Sequence, residues 1–107
     1  MTPTLERVRF RLKPGITDAG FLAEAEALSA WIQVQPGFNY RTLVKDEDGT
    51  WNDLVFWASP DAAQAAGKAI MTEPQAKPFM SMIDGATVSL EHLPQRHSVM
   101  AAPAQAA

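Results

Sequence analysis

The segment FNYRTLVKDEDGTWNDLVFWA, residues 38–58, predicts two β-strands joined by a short acidic turn. Asp48-Gly49 marks the turn, because glycine tolerates the positive φ that tight hairpin connections require. Side chains alternate between the two faces of a strand. The second strand is predicted from Trp51 to Ala58, and it carries apolar side chains on both faces: Leu54 and Phe56 on one, Val55 and Trp57 on the other. Both faces of this strand therefore need a cover.

One strand and one helix are predicted before the hairpin. Residues 6–13 alternate between apolar and mainly basic side chains, which indicates a strand. Thr17 or Asp18 can cap the following helix with a side-chain oxygen. The apolar stripe of this helix consists of residues at helical spacing, Phe21, Ala25, Leu28 and Ile32. Pro36-Gly37 ends the helix, because proline cannot continue it and glycine suits a left-handed exit.

A second helix and a last strand are predicted after the hairpin. Ser59-Pro60 is a strong helix start, and Pro74 and Pro78 predict a kink or two short pieces. Residues 86–93 alternate as a strand. The order βαββαβ predicts an α+β, ferredoxin-like fold with a four-stranded antiparallel sheet and two helices on one face. Strands one and three are then central.

Length, charge and composition limit the classes of function. The 107 residues suit a single domain, predicted over 1–94, followed by a flexible Ala/Pro/Gln-rich tail over 95–107. A net charge of -3 argues against binding to nucleic acid or to an anionic membrane. The chain has no cysteine, which removes thiolate metal sites and fits a cytoplasmic location. No apolar run approaches the ~18 residues that span a bilayer.

The uncovered face of the sheet predicts a partner. If both helices lie on one face, the apolar residues of strand three on the other face remain in water. A second copy that packs sheet against sheet would cover them, and full burial of a large apolar side chain contributes roughly 1.5 to 3 kcal/mol. The sequence therefore predicts a homodimer.

Three short motifs carry a resemblance to a known family. They are Lys13-Pro14-Gly15 after strand one, Gln35-Pro36-Gly37-Phe38 leading into strand two, and Phe56-Trp57-Ala58-Ser59 running from strand three into helix two. With the element order, they make the chain resemble the dimeric α/β-barrel superfamily, in particular proteins similar to the antibiotic-biosynthesis monooxygenases. The resemblance covers about residues 6–93.

This resemblance implies a pocket for a small apolar or aromatic molecule between sheet and helices. The leading expectation is a cofactor-independent monooxygenase that needs neither metal nor flavin. The alternative is a non-catalytic dimeric ligand-binding or accessory protein, whose cavity is filled by its own aromatic side chains. A polyketide-cyclase-like enzyme is the third. An enclosed cavity near His92, Tyr40 and Trp57 would favour an enzyme, and a filled core would favour the accessory role.

The candidate catalytic residues are Asp53, His92 and Trp57. Asp53 is flanked by apolar residues on a central strand, so it is either a general base or the partner of Arg9 or Arg11 in a structural salt bridge. His92, near the end of an edge strand, could move a proton near neutral pH, although an ordinary strand-end histidine is the simpler interpretation. Trp57 could stack on a substrate ring or fill the core.

The candidate ligand-binding residues are Tyr40, Asn39, Phe79, Met80 and Met82. Tyr40 and Asn39 could donate hydrogen bonds to a ligand or lie at a solvated strand edge. The other three are adaptable pocket walls if a pocket exists, and core residues otherwise.

Overall fold

The computed structural model describes residues 2–103. The elements are β1 Thr4–Phe10, α1 Asp18–Ile32, β2 Phe38–Lys45, β3 Trp51–Trp57, α2 Pro60–Ile70, α3 Lys77–Ser81 and β4 Ser89–Pro94, with short 3-10 turns at Pro74–Ala76 and Gly85–Thr87. The strands form one antiparallel sheet in the order β2-β3-β1-β4. The predicted ferredoxin-like α+β fold is confirmed, and β1 and β3 are the central strands.

The helices cover one face of the sheet. The buried side chains of β3 and the apolar side chains of β1 lie on this face. The four predicted stripe residues of α1 are its buried residues, and Thr17 accepts a hydrogen bond from the backbone N–H of Gly20. Ser59 caps α2 in the same way through Ala62. Proline divides the second helical region as predicted, because α2 ends before Pro74 and α3 begins after it.

A close approach of two backbones fixes the entry into β2. Gly37 has a φ of +82°, and a Cβ added there would lie 2.5 Å from the Cβ of Ala62. The Gly37 carbonyl also accepts a hydrogen bond from the N–H of Ala58 at 2.8 Å. Only glycine combines this conformation with this spacing, so the end of α1 is held against the start of α2.

The bounds of β1 and β4 differ most from the prediction. β1 starts at Thr4 and ends at Phe10, because the backbone beyond it bonds differently: the N–H of Arg11 donates to Oγ1 of Thr87, and its carbonyl accepts from the N–H of Asp84. β4 starts at Ser89 and not at residue 86. Asp84 caps the 3-10 turn at Gly85–Thr87 by accepting from the N–H of Ala86, which delays the strand.

The core between sheet and helices consists of two groups of buried side chains. The first is mainly aromatic: Phe10, Phe21, Ala25, Leu28, Trp51, Ala76 and Phe79. The second surrounds Trp57: Ile32, Val55, Trp57, Ala63 and Ala66. Both groups meet β3, since Trp51 belongs to the first group and Val55 to the second. Asp53 lies between Trp51 and Val55 on the same inward face of β3.

The tail begins with one fixed contact. The N–H of Gln95 donates to the carbonyl of Pro3 at 2.8 Å, and residues 96–103 have no regular secondary structure. Residues 104–107 of the predicted tail lie outside the described residues, and its flexibility stays a prediction. Within residues 2–103, no helix has the length and apolar character to cross a bilayer.

Candidate ligand groove

An open groove of about 540 Å³ lies between α1 and β2. Polar and apolar side chains contribute about equally to its wall. From α1 and the residue after it come Leu22, Ala25, Glu26, Ser29, Ile32 and Gln33, and from β2 come Phe38, Asn39, Tyr40, Arg41 and Leu43. The volume suits a small molecule, and such sites typically combine apolar walls with a few polar groups that fix orientation.

Arg41 is the cation of this groove, and it is held by Asp53 on the neighbouring strand. Its Nε donates to Oδ1 at 3.0 Å and its Nη2 donates to Oδ2 at 2.8 Å. The side chains are only 8% and 11% exposed. This is a bidentate, charge-assisted pair in a largely water-free position, which fixes the plane of the guanidinium.

The prediction that Asp53 pairs with Arg9 or Arg11 is wrong. The register sets Asn52 opposite Arg9, so the Arg9 side chain projects from the face of the sheet opposite to Asp53. Arg11 lies beyond the end of β1 and donates to the carbonyl of Asp48 at the hairpin turn. The salt bridge exists, but its cation comes from β2.

The ring of Phe79 packs against one face of the Arg41 guanidinium. The guanidinium carbon of Arg41 lies 5.2 Å from the centre of the Phe79 ring, a cation–π distance. Phe79 itself stacks on Phe21 at 4.9 Å and is buried in the first core group. Met82 packs against that group, and Met80 is exposed. None of these three lines the groove, and their ligand-binding role stays a prediction.

Trp57 lies behind the groove wall. It is fully buried, and its ring meets Phe38 edge-on at a centroid distance of 5.8 Å. Its indole Nε1 is buried without a hydrogen-bond partner among residues 2–103. Phe38 lines the groove and Trp57 does not. Direct stacking of Trp57 on a ligand would require Phe38 to move.

His92 lies at the opposite edge of the sheet from the groove. Its Nε2 is 2.8 Å from Oε2 of Glu6, its partner in the β1–β4 register. β4 and β2 are separated by three strand spacings, about 14 Å. The acid–base pair of Tyr40 and His92 that a cyclase-like reaction would use is therefore not brought together. The catalytic role of His92 itself stays a prediction.

Asn39 and Tyr40 both line the groove, and their ligand-binding role stays a prediction. The β2–β3 register shifts between Phe38 and Tyr40, so Asn39 sits at an irregularity of the strand. Tyr40 lies against Phe56 at 5.8 Å, on the face of the sheet away from the helices.

Four polar groove residues were not predicted as site residues, the charged Arg41 and Glu26 and the neutral Ser29 and Gln33. A signal for Arg41 was available, because it alternates with Leu43 and so shares the inward face of β2. An inward arginine needs a partner. Glu26 follows the buried Ala25 on α1 and carries no comparable signal. No group of three or more metal-binding side chains occurs in the described part of the chain.

The ion pair predicts a large effect of Asp53→Asn on stability. The change leaves a buried guanidinium without its counter-charge, which should lower the free energy of unfolding by about 3 kcal/mol. Glu91→Gln is the matched control, because Glu91 pairs with Arg7 on the exposed face and should cost less than about 1 kcal/mol. Urea unfolding at pH 7 measures both. Equal midpoints for the two variants would contradict the assignment.

The fold is shared with proteins of solved structure. SnoaB, a cofactor-independent oxygenase from Streptomyces nogalater, superposes with a TM-score of 0.70 at 19% identity, over 92% of this chain and 98% of SnoaB. The ActVA-Orf6 monooxygenase of Streptomyces coelicolor, solved with nanaomycin D, gives 0.68 at 17% identity, over 94% of each chain. Rv0793 from Mycobacterium tuberculosis gives 0.67 at 15% identity, over 92% of this chain and 100% of Rv0793.

Sequence comparison gives no further assignment, since no protein-family model and no curated protein matches the chain. Neighbours described as antibiotic-biosynthesis monooxygenases from Caulobacter crescentus and Chloroflexus aurantiacus also share the arrangement of strands and helices. At these identities the likeness concerns the fold. The chain has the fold of the antibiotic-biosynthesis-monooxygenase-like proteins.

Proposed function

We propose that the protein binds a small aromatic molecule in the groove between α1 and β2 and oxygenates it without a cofactor. The observation that carries this proposal is the buried guanidinium of Arg41 in the groove wall. A fixed cation beside apolar walls stabilises negative charge that develops on a bound substrate. The shared fold with oxygenases such as SnoaB supports the choice of reaction.

The proposed reaction needs a substrate with an acidic C–H bond, such as an aromatic ketone whose anion is delocalised. Loss of the proton gives an electron-rich enolate that can transfer electrons to O₂ directly. In the oxidation of anthrone to anthraquinone, a CH₂ group loses two hydrogens and gains one oxygen atom, and the second oxygen atom leaves as water. O₂ is the oxidant, and the substrate supplies all the electrons.

Two groove residues take the roles that this reaction requires. Glu26 is the carboxylate of the groove wall, and it accepts the substrate proton. Arg41 donates hydrogen bonds to an oxygen of the bound substrate anion. Both oxygens of Asp53 already accept from Arg41, so Asp53 acts as a positioning residue rather than as the base.

A second function, a non-catalytic ligand-binding or accessory protein, is favoured by one observation. The layer between the sheet and the helices is filled by the protein's own aromatic side chains, with Phe21 against Phe10, Trp51 and Phe79. The groove is a surface feature beside this filled core. Binding without turnover would be the signature of this alternative.

Oxygen uptake with anthrone tests the reaction. The wild-type protein should accelerate O₂ consumption above the uncatalysed rate, and Glu26→Gln should lower the rate constant by roughly a hundredfold, which is typical of a lost general base. Ser29→Trp should abolish the acceleration by filling the groove. Glu24→Gln, on the same helix but outside the groove lining, is the matched control and should retain the wild-type rate.

The remaining face of the sheet supports a homodimer, which we include in the proposal. The register places an apolar group on this face, Leu5, Tyr40, Val44, Leu54, Phe56 and Leu93. Tyr40 is 58% exposed, and Val44 and Leu93 are also exposed. Exposed apolar side chains on one sheet face favour a protein contact, and a second copy presents the same face.

Light scattering tests the dimer. The wild-type chain of 11.7 kDa should have twice that mass, about 23 kDa, at micromolar concentration. Phe56→Asp should give a monomer, because it places a charge in the middle of the apolar face. Val34→Asp, at a position 74% exposed after α1, should leave the mass unchanged. A wild-type monomer at this concentration would refute the proposal.

A further inference from the structure

From the geometry of Arg41 we infer that the groove selects aromatic acids, whose acid group binds the free end of the guanidinium. This inference rests on the proposed function, because it specifies the ligand of the same groove. It adds a property that oxygenation alone does not require, which is a preference for a permanently anionic ligand over a neutral one with the same rings.

A guanidinium has two edges that can each donate a pair of parallel hydrogen bonds to an acid group. Asp53 occupies the side edge of Arg41, which consists of Nε and Nη2. The end edge consists of Nη1 and the second hydrogen of Nη2, and Nη1 has no acceptor among residues 2–103. Arginine forks match planar carboxylates and related oxyanions in this bidentate manner.

The arginine is held in place before a ligand arrives. Its side chain is 8% exposed, Asp53 fixes its plane, and the Phe79 ring supports one side of it. A fixed side chain loses little conformational freedom on binding, so more of the contact energy appears as affinity.

The charges around Arg41 determine whether the groove prefers a ligand with an anionic oxygen or one with a neutral oxygen. Asp53 neutralises Arg41, so the preference comes from charge-assisted hydrogen bonds, which are roughly twice as strong as neutral ones. Glu26 is the opposing charge in the groove wall. Glu26 is exposed on α1, where water and salt screen it, whereas Arg41 is shielded from both. The contact with Arg41 therefore dominates.

Two fluorescent probes with the same rings test the inference. Anilinonaphthalene sulfonate carries an anionic group, and N-phenylnaphthylamine lacks it. The wild-type protein should bind one molecule of either probe per chain, with the sulfonate bound at least about tenfold more tightly. Ser29→Trp should remove both signals, which places the probes in the groove and not on the apolar face of the sheet.

Arg41 variants identify the source of the preference. Arg41→Gln should reduce the ratio of the two affinities to about one. Arg7→Gln is the matched control, because Arg7 forms a similar side-edge contact with Glu91 on the opposite face, and it should retain the wild-type ratio. If Arg41→Gln does not fold, the double variant Arg41→Gln/Asp53→Asn replaces the ion pair by an amide pair and should show the same loss.

The outcomes separate this inference from the proposed function. Equal affinities for the two probes in the wild-type protein would overturn the preference for acids and leave the groove as a ligand site. A preference that survives in both Arg41 variants would overturn the role of Arg41. Failure of both probes to bind the wild-type groove would overturn the proposed function and this inference together.

Discussion

The buried ion pair between Arg41 and Asp53 is the constraint on which the site depends. Asp53 occupies the inward position of β3 between Trp51 and Val55, which belong to different groups of the core. A charge there is tolerated only because both carboxylate oxygens receive hydrogen bonds from one guanidinium. The pair joins β2 to β3 on the helix side of the sheet, and it brings a cation to the wall of the groove.

Such a pair is poorly explained by stability alone. The free energy needed to remove two charges from water is about as large as the free energy gained from their attraction. An apolar pair of similar volume would therefore stabilise the fold equally well. Arg41 lines the groove, and its Nη1 has no acceptor among residues 2–103, so it retains a donor that an apolar pair would lack. The proposed contact with a ligand would give the pair a role that stability does not supply, and the aromatic core behind it holds the arginine in place.

The architecture was predictable because its signals are local. The alternation of β3, the stripe of α1 and the prolines after α2 each act over a few residues, and the structure follows them. The partner of Asp53 depends on the register between strands distant in sequence, which alternation does not determine. The groove depends on the spacing between α1 and β2. For this reason the sequence indicated Asn39 and Tyr40 but neither Arg41 nor Glu26 as groove residues.

The side-chain NMR signals of the arginines test the central claim most directly. Arg41 should give a resolved ¹⁵N–¹H signal at Nε, because Asp53 shields that proton from exchange with water. Addition of naphthoate, a small aromatic acid, should shift the guanidinium signals of Arg41 and leave those of Arg7 unchanged. Unchanged Arg41 signals at saturating naphthoate, or equal shifts for both arginines, would contradict the claim that the free edge of Arg41 binds the ligand.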